Sequence, residues 1–299
     1  MKNSVYRLLS PSEWNDYELI DSGCFEKLER FGPFVICRPE PQAIWNRSMT
    51  ENEWKHEMHA RFVMDKEMHN GEKGKWQKFS NIPEFWDINY NYKSLLLKFR
   101  LRFNTFKHIG IFPEQADNWN YIYDTINEQS QHEEYKVLNL FAYTGGASLA
   151  ARFTKAKVIH VDSVKQVINW ANDNMQLSAL QDISWVIEDA VKFVKREVKR
   201  ENKYNGIILD PPAFGRGPQG EKWILERHIN ELISDCSKLL KETNSFFILN
   251  MYSLGLSAII SENLIKENFH CPQYDFGELY MNDRFNKKLP LGSFIRFKR

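Results

Sequence analysis

From Tyr135 onward, short runs of β-branched and apolar residues recur, separated by longer amphipathic segments, and this alternation constrains the fold more than any other feature of the chain. KVLNLF (136–141), KVIHVD (157–162), ISWVIED (183–189), NGIILD (205–210) and SFFILN (245–250) read as five central strands. GASLAARF, KQVINWANDNMQLS, AVKFVKREVKR and WILERHINELISDCSKLLKE lie between them and carry the spacing of amphipathic helices. Repeated strand and helix units of this kind build a largely parallel, Rossmann-like α/β sheet. YDFGELYM and GSFIRFKR follow with no long helix between them, which predicts an antiparallel strand at the end of that sheet.

Up to about residue 110 the rhythm differs. Short apolar or aromatic runs alternate with turn residues, as in YELIDSGCFEKLERFGPFVICRPEPQAIW and KSLLLKFRLRF, and predict paired strands with few helices. The expected organisation is a smaller β-rich domain over 1–110, a candidate for substrate recognition, and an α/β domain over 111–299. EMHNGEKGKWQKF is polar and glycine-containing, so a mobile loop is expected there.

With 42% hydrophobic and 26% charged residues in 299, the chain has the composition of a folded globular protein, which excludes disordered and collagen-like classes. A net charge of +1 excludes a strongly basic nucleic-acid binder overall, while leaving room for a local basic patch. Cys24, Cys37, Cys236 and Cys271 form no C-x-x-C pair, so neither a zinc site nor a disulfide framework is indicated and a reducing compartment is expected. The amino terminus lacks an apolar core of signal-peptide length, and no window reaches the roughly 20 apolar residues needed to span a bilayer. The expectation is a cytoplasmic protein with no membrane partner.

The chemistry gathers at the ends of the predicted strands. Gly145 and Gly146 sit between the first strand and its helix, where missing side chains let a ligand approach the backbone and the helix N-terminus. Asp162 ends the second strand, Glu188 and Asp189 the third, Asp210 the fourth. Taken singly, Asp162 and Asp189 serve equally well as helix caps. Taken together, acids at successive strand tips beside a glycine turn suit a nucleoside-like ligand, one holding a ribose and the next reaching a base amino group.

GIILDPPAFGRG (206–217) ends an apolar run in a carboxylate, two prolines and an aromatic. Both prolines lack an amide donor and fix φ, which stops the strand and stiffens the turn. An exocyclic amine held there can give its two hydrogens to Asp210 and the Pro211 carbonyl, with Phe214 stacked on the base that bears it. The bland reading, a rigid strand-ending turn with its ring in the core, stays beside it.

The run from 137 to 253 resembles the class I S-adenosylmethionine-dependent methyltransferases, in particular the large-subunit ribosomal RNA group whose loops read LNLFAYTGG, VDxS and DPPxF. The resemblance implies S-adenosyl-L-methionine as cofactor and RNA, ribosomal in that group, as partner. By it, Asn139, Phe141, Tyr143, Thr144, Gly145 and Gly146 wrap the methionine part, Asp162 holds the ribose, and Ser163, Asp189 and Ala190 border the adenine. GIFPEQADNW resembles a cofactor-covering segment and nominates Phe112, Gln115 and Asn118. Two departures matter. The RNA-binding PUA domain that many relatives carry has no obvious match, and NMYSLGLS stands where carbon-methylating relatives have a nucleophilic cysteine, with Asn250, Met251, Tyr252 and Ser253 offering no thiolate. Methylation of a base nitrogen is therefore favoured over carbon methylation.

Other features carry less. His56 and His59, three apart in KHEMHARF, are read as a solvated helix face because no third metal ligand accompanies them. Cys236 is read as a small buried apolar residue. WDINYNYKSLLLKFRLRF interleaves aromatics with Lys93, Lys98, Arg100 and Arg102, which suits either a stacking, basic groove for single-stranded RNA or a strand with one face in the core. Among rival functions, a nicotinamide dehydrogenase requires G-x-G-x-x-G after the first strand, and AYTGGASLAA lacks it. A methyltransferase acting on a non-RNA acceptor and a non-catalytic RNA-binding module with the same fold remain as alternatives.

Overall fold

The computed structural model describes residues 4–11, 14–65, 73–130, 134–252, 255–270 and 273–299. Its strands and helices run in the order β1 (Val5–Leu9), β2 (Tyr17–Gly23), β3 (Glu26–Phe31), β4 (Phe34–Pro39), α1 (Glu51–Glu57), β5 (Ala60–Met64), β6 (Gly74–Lys78), β7 (Phe85–Tyr92) and β8 (Leu95–Arg102). Then follow α2 (Ala116–Gln129), β9 (Lys136–Leu140), α3 (Gly146–Phe153), β10 (Lys157–Asp162), α4 (Lys165–Leu177), β11 (Ile183–Ile187), α5 (Ala190–Lys199) and β12 (Gly206–Leu209). The chain closes with β13 (Phe214–Arg216), β14 (Lys222–Ile224), α6 (Leu225–Leu239), β15 (Phe246–Met251), α7 (Ala258–Asn268), β16 (Asp275–Asn282) and β17 (Lys288–Lys298).

By compactness the chain forms two units. One comprises residues 1–9, 115–279 and 292–299, the other 10–114 and 280–291, so each unit takes in segments that a single cut at 110 would assign to its neighbour.

The first unit holds an eight-stranded sheet in the order β1-β16-β17-β15-β12-β9-β10-β11. The neighbours from β15 to β11 are parallel, and β17 runs antiparallel to β15, as the closing sequence runs predict. The sequence gives no warning that β1 pairs in parallel with β16. The central strands are covered on both sides, and alternation sorts their residues. Leu138, Leu140, Ile207, Leu209, Phe247 and Leu249 join the core that also contains α5, α6 and α7. On the other face the aromatic rings of Tyr121 and Tyr135 lie against Phe246. Two helices escaped the sequence reading. α7 has apolar residues spread around its circumference, and only Ala258, Ser261 and Ile265 are buried. α2 is rich in Asn, Tyr and Asp, which dilutes its period.

The second unit is a five-stranded sheet, β2-β3-β4-β5-β6, with a separate β7-β8 hairpin. Alternation decides the mixed aromatic and basic stretch of β7 and β8: Trp86, Ile88, Tyr90, Leu95, Leu97, Phe99 and Leu101 are buried, while Lys98 is exposed. Trp86, Tyr90 and Phe99 therefore belong to the core, Tyr92 and Phe103 are half-buried, and Arg100 is paired with Asp87 at 2.9 Å on the outer face, so most of the aromatic pattern is that of a strand with one face in the core. Asp21, fully buried, accepts hydrogen bonds from the amides of Ser22, Ser48 and Met49 and from the Trp54 indole. Glu29 is buried against Arg38 with Nε to Oε2 at 2.7 Å and takes the Tyr17 hydroxyl at 3.0 Å.

The expected helix face bearing His56 and His59 is corrected, because α1 ends at Glu57 and His59 Nδ1 instead accepts the Val35 amide at 3.1 Å. The mobile loop expected over 67–79 lies outside the described residues up to 72, and its remainder forms β6. Ser253 and Cys271 also lie outside them.

Candidate active site at the carboxyl edge of the parallel sheet

From β9 the chain winds outward through β10 and β11, then returns to the other side of β9 with β12 and β15. The boundary between β9 and β12 is thus the topological switch point, where open α/β sheets leave a crevice at the carboxyl ends of their strands. The loop after β9 and Asp210 after β12 both sit on that boundary, with Asp162 one strand away.

The loop from 141 to 145 alternates in backbone handedness. Phe141, Tyr143 and Gly145 have φ of 55°, 48° and 93°, while Ala142 and Thr144 are not left-handed. Left-handed backbone costs about 1 kcal/mol or more for a residue with a side chain, so Phe141 and Tyr143 are held in place by their surroundings. Asp162 is one such restraint: its carboxylate accepts the Tyr143 amide at 3.0 Å and the Val164 amide at 2.9 Å. Burial pushes that carboxyl above its usual range, against the pull of the amides. Thr144 is buried, and its carbonyl accepts Asn174 Nδ2 at 3.0 Å.

Beneath the loop lies a polar chain. Asn139 Nδ2 donates to Ser148 Oγ at 2.9 Å, and Ser148 Oγ shares a hydrogen bond with His160 Nδ1 at 3.0 Å. All three are buried, and burial drives the His160 pKa down to about 3, so the ring is neutral at physiological pH. Asn139 thus has its side-chain amide engaged below the loop. The sequence reading missed Ser148 and His160, although a histidine inside the apolar run KVIHVD is a visible signal.

The two glycines differ in what they do. Gly145 is the left-handed N-cap of α3. A Cβ on Gly146 would stand 2.5 Å from the Trp119 ring, so Gly146 is explained by the packing of α2 onto α3 without reference to a ligand.

Gln115 and Asn118 take part in a second buried network. Asn118 Nδ2 donates to Gln115 Oε1 at 3.0 Å and to Asn250 Oδ1 at 2.9 Å, Asn250 Nδ2 donates to Gln115 Oε1 at 3.0 Å, and Arg296 Nη1 donates to Asn118 Oδ1 at 3.0 Å. Asn250, near the end of β15, therefore ties the start of α2 to the sheet edge; its only sequence signal is an amide closing the run SFFILN. Phe112 falls in the other unit, its ring 4.9 Å from that of His108.

At the adenine-bordering positions, Asp189 is the N-cap of α5 and accepts the Lys192 amide at 3.0 Å, Ala190 is buried at the start of that helix, and Ser163 Oγ donates to the Arg216 carbonyl at 3.4 Å. Of the two roles open to Asp189, capping is therefore present.

Asp210 is electrostatically perturbed. Its carboxylate is half-buried, has no hydrogen-bond partner among the described residues, and is pushed up to about 7 by burial. Pro211 is buried and Pro212 exposed; the Pro212 carbonyl accepts the Trp223 indole at 2.6 Å. Trp223 lies 4.9 Å from the Phe141 ring, which connects the proline turn to the glycine loop. Phe214 is 55% exposed, so the alternative in which its ring fills the core is excluded. Cys236, by contrast, is fully buried with its thiol pushed upward by burial, as a structural residue.

A family model described as S-adenosylmethionine-dependent methyltransferase matches residues 33–265. The chain belongs to that family. It is 33% identical to an S-adenosylmethionine-dependent methyltransferase from Agrobacterium tumefaciens, with a TM-score of 0.89 over 98% of this chain and 94% of that one. A putative methyltransferase complexed with S-adenosylhomocysteine shares the fold, with a TM-score of 0.68 at 18% identity over 91% of this chain and 71% of that one. Among curated proteins, it is 29% identical over 157 residues to the ribosomal RNA large subunit methyltransferase K/L of Shewanella frigidimarina, covering 51% of this chain and 21% of the relative. It is 30% identical over 157 residues to a putative ribosomal RNA large subunit methyltransferase of Methanocaldococcus jannaschii, covering 50% and 39% respectively. The chain thus spans from about a fifth to two fifths of the length of these curated relatives. The cofactor of this methyltransferase is S-adenosylmethionine, and the site suits it: an acid without a cationic partner beside a restrained loop and helix N-terminus fits a ligand that combines a positive sulfonium with a carboxylate.

Proposed function

We propose that this methyltransferase modifies a base nitrogen in RNA, ribosomal RNA by the names of its relatives. The observation that carries the reading is Asp210: an acid without a partner among the described residues, on the switch-point edge, followed by a proline-stiffened turn and an exposed phenylalanine.

S-adenosylmethionine supplies an electrophilic methyl group on a sulfonium. The transfer is an in-line displacement, so the work of the chain is to hold the acceptor nitrogen in line. Asp210, ionised, accepts one amine hydrogen, the Pro211 carbonyl accepts the other, and both draw electron density onto nitrogen as the carbon–nitrogen bond forms and the methyl carbon–sulfur bond breaks, leaving S-adenosylhomocysteine. Asp210 is then placed to take the proton that the methylated nitrogen sheds. Phe214 offers a face on which an unstacked base can lie. Phe141, Tyr143, Thr144, Gly145 and Gly146 border the methionine part, supported from below by Asn139; Asp162 holds the ribose; Ser163, Asp189 and Ala190 border the adenine; Phe112, Gln115 and Asn118 cover the cofactor. The β-rich unit, residues 10–114 with 280–291, recognises the substrate, and an RNA acceptor implies a cytoplasmic location. No helix among the described residues is long and apolar enough to cross a membrane.

Tritiated methyl transfer to the RNA, protein and small-molecule fractions of cells lacking the gene tests the acceptor, with label expected in RNA. Label confined to another fraction would replace the RNA reading with a non-RNA acceptor. Asp210→Ala is expected to retain S-adenosylhomocysteine binding by calorimetry and to lose about 10²–10³-fold in turnover, the usual cost of one preorganised group. Undiminished turnover removes Asp210 from the mechanism.

A further inference from the structure

The turn after Asp210 opens into the β13-β14 hairpin, whose register pairs Phe214 with Ile224, Gly215 with Trp223 and Arg216 with Lys222. Residues directly opposite in an antiparallel pair share a face, and alternate residues along a strand share it too. One face therefore carries Gly215 and the buried Trp223, and the other carries Phe214, Arg216, Lys222 and Ile224.

The outer face holds an arrangement that folding alone disfavours. Arg216 and Lys222 stand cross-strand from one another, both exposed, and neither has an ion-pair or hydrogen-bonded side-chain partner among the described residues. Like charges directly opposite destabilise a strand pair. Nearby acids do not relieve them, because Glu221 is paired with Lys192 and Glu188 with Arg196. Phe214 adds an exposed ring on the same face.

The hairpin is nonetheless firmly held. Trp223 is buried and donates to the Pro212 carbonyl at 2.6 Å, the Leu225 amide donates to the Ala213 carbonyl at 3.0 Å, and Ser163 Oγ donates to the Arg216 carbonyl at 3.4 Å. Lys192 reaches it through Gln219 at 3.0 Å and through Glu221. A rigid strand pair that presents two uncompensated cations and a ring is preorganised for an anion attached to something flat.

We infer that Arg216 and Lys222 form a phosphate clamp for single-stranded RNA, gripping the backbone next to the nucleotide whose base Phe214 receives. The choice of RNA as occupant rests on the acceptor proposed above, together with the charge of the face. The clamp lets backbone phosphate fix the register of the strand, leaving Asp210 and the Pro211 carbonyl to orient the amine.

The test is binding of a short, fluorescently labelled single-stranded RNA of mixed sequence to the full chain saturated with S-adenosylhomocysteine, followed by anisotropy across a salt series. Arg216→Gln/Lys222→Gln is expected to weaken binding about tenfold or more in dilute salt and to flatten the slope of log affinity against log salt by roughly 1.4, or about 0.7 for each phosphate no longer neutralised. The double variant is also expected to melt no lower than the native chain, since a repulsion is removed, which separates a weakened grip on RNA from a damaged fold. Lys238→Gln/Lys266→Gln, which removes the same charge from lysines paired with Asp235 and Glu262, is expected to leave the slope unchanged. An unaltered slope in the hairpin variant, or an RNA that the native chain does not bind, overturns the clamp. Salt-dependent binding that the hairpin variant loses, with no methyl transfer by the native chain to any RNA of the cellular fraction, sustains the clamp and sinks the RNA acceptor reading instead.

Discussion

Asp210 is expensive to keep ionised where it stands. Its pKa of about 7 lies above its ordinary value of 3.8, and burial is the cause. Between those two values the folded chain holds a proton that the unfolded chain has released, so this residue makes stability fall as pH rises from about 4 to about 7. Asp210→Asn is therefore expected to raise the melting temperature most at about pH 8, less at about pH 5 and little at about pH 3; equal effects at about pH 8 and about pH 3 would mean that the carboxyl is not desolvated. The catalytic role runs the opposite way, since only the ionised form accepts the amine hydrogen. Methyl transfer by the native chain should climb as pH passes through about 7, an inflection that Asp210→Asn should abolish along with most of the activity. A group that costs stability in the form that works is a mark of a functional position.

The loop between β9 and α3 is supported from several directions: Asp162 from the next strand, Asn174 of α4, and Trp119 of α2 against Gly146. Gly146→Ala places a methyl group 2.5 Å from the indole, and one of the two helices must move. Overpacking of this kind costs about 1–3 kcal/mol. The expected result is a lower melting temperature together with weaker S-adenosylhomocysteine binding by calorimetry. A stable variant with native affinity would show that α2 can shift without disturbing the loop. Asp189 carries a related lesson, because the same side chain that borders the proposed adenine pocket already satisfies the first turn of α5.

Both units depend on the end of the chain. β17 pairs with β15 from Phe246 opposite Lys298 to Met251 opposite Ser293, and Phe297 stacks on Phe247 with centroids 5.7 Å apart. Residues 280–291 belong to the other unit, where Arg284 meets Glu18 at 2.7 Å, Asp283 accepts the Ser22 hydroxyl at 3.2 Å, and Lys287 reaches the Ser22 carbonyl at 3.2 Å. Deleting 280–299 removes a strand from within the eight-stranded sheet, separates β15 from β16, and withdraws these partners. The shortened chain is expected to show no cooperative thermal transition by circular dichroism, whereas a native-like melt would show that β17 is dispensable to the core.

The parallel strands were legible because burial on both faces demands uninterrupted apolar runs, and the proline turn was legible because it has a local chemical cause. The carboxylates at the strand tips were visible for the same reason: each is adjacent in sequence to the run that it ends. What stayed hidden was everything that depends on residues meeting across long separations. Asn250 lies 132 positions from Asn118, and β1 joins the sheet through β16 near the opposite end of the chain. Nor could periodicity distinguish a glycine reserved for a ligand from one reserved for Trp119. Local pattern reports which face of an element is apolar, while the neighbour that covers it is chosen by packing, and packing is a property of the folded chain.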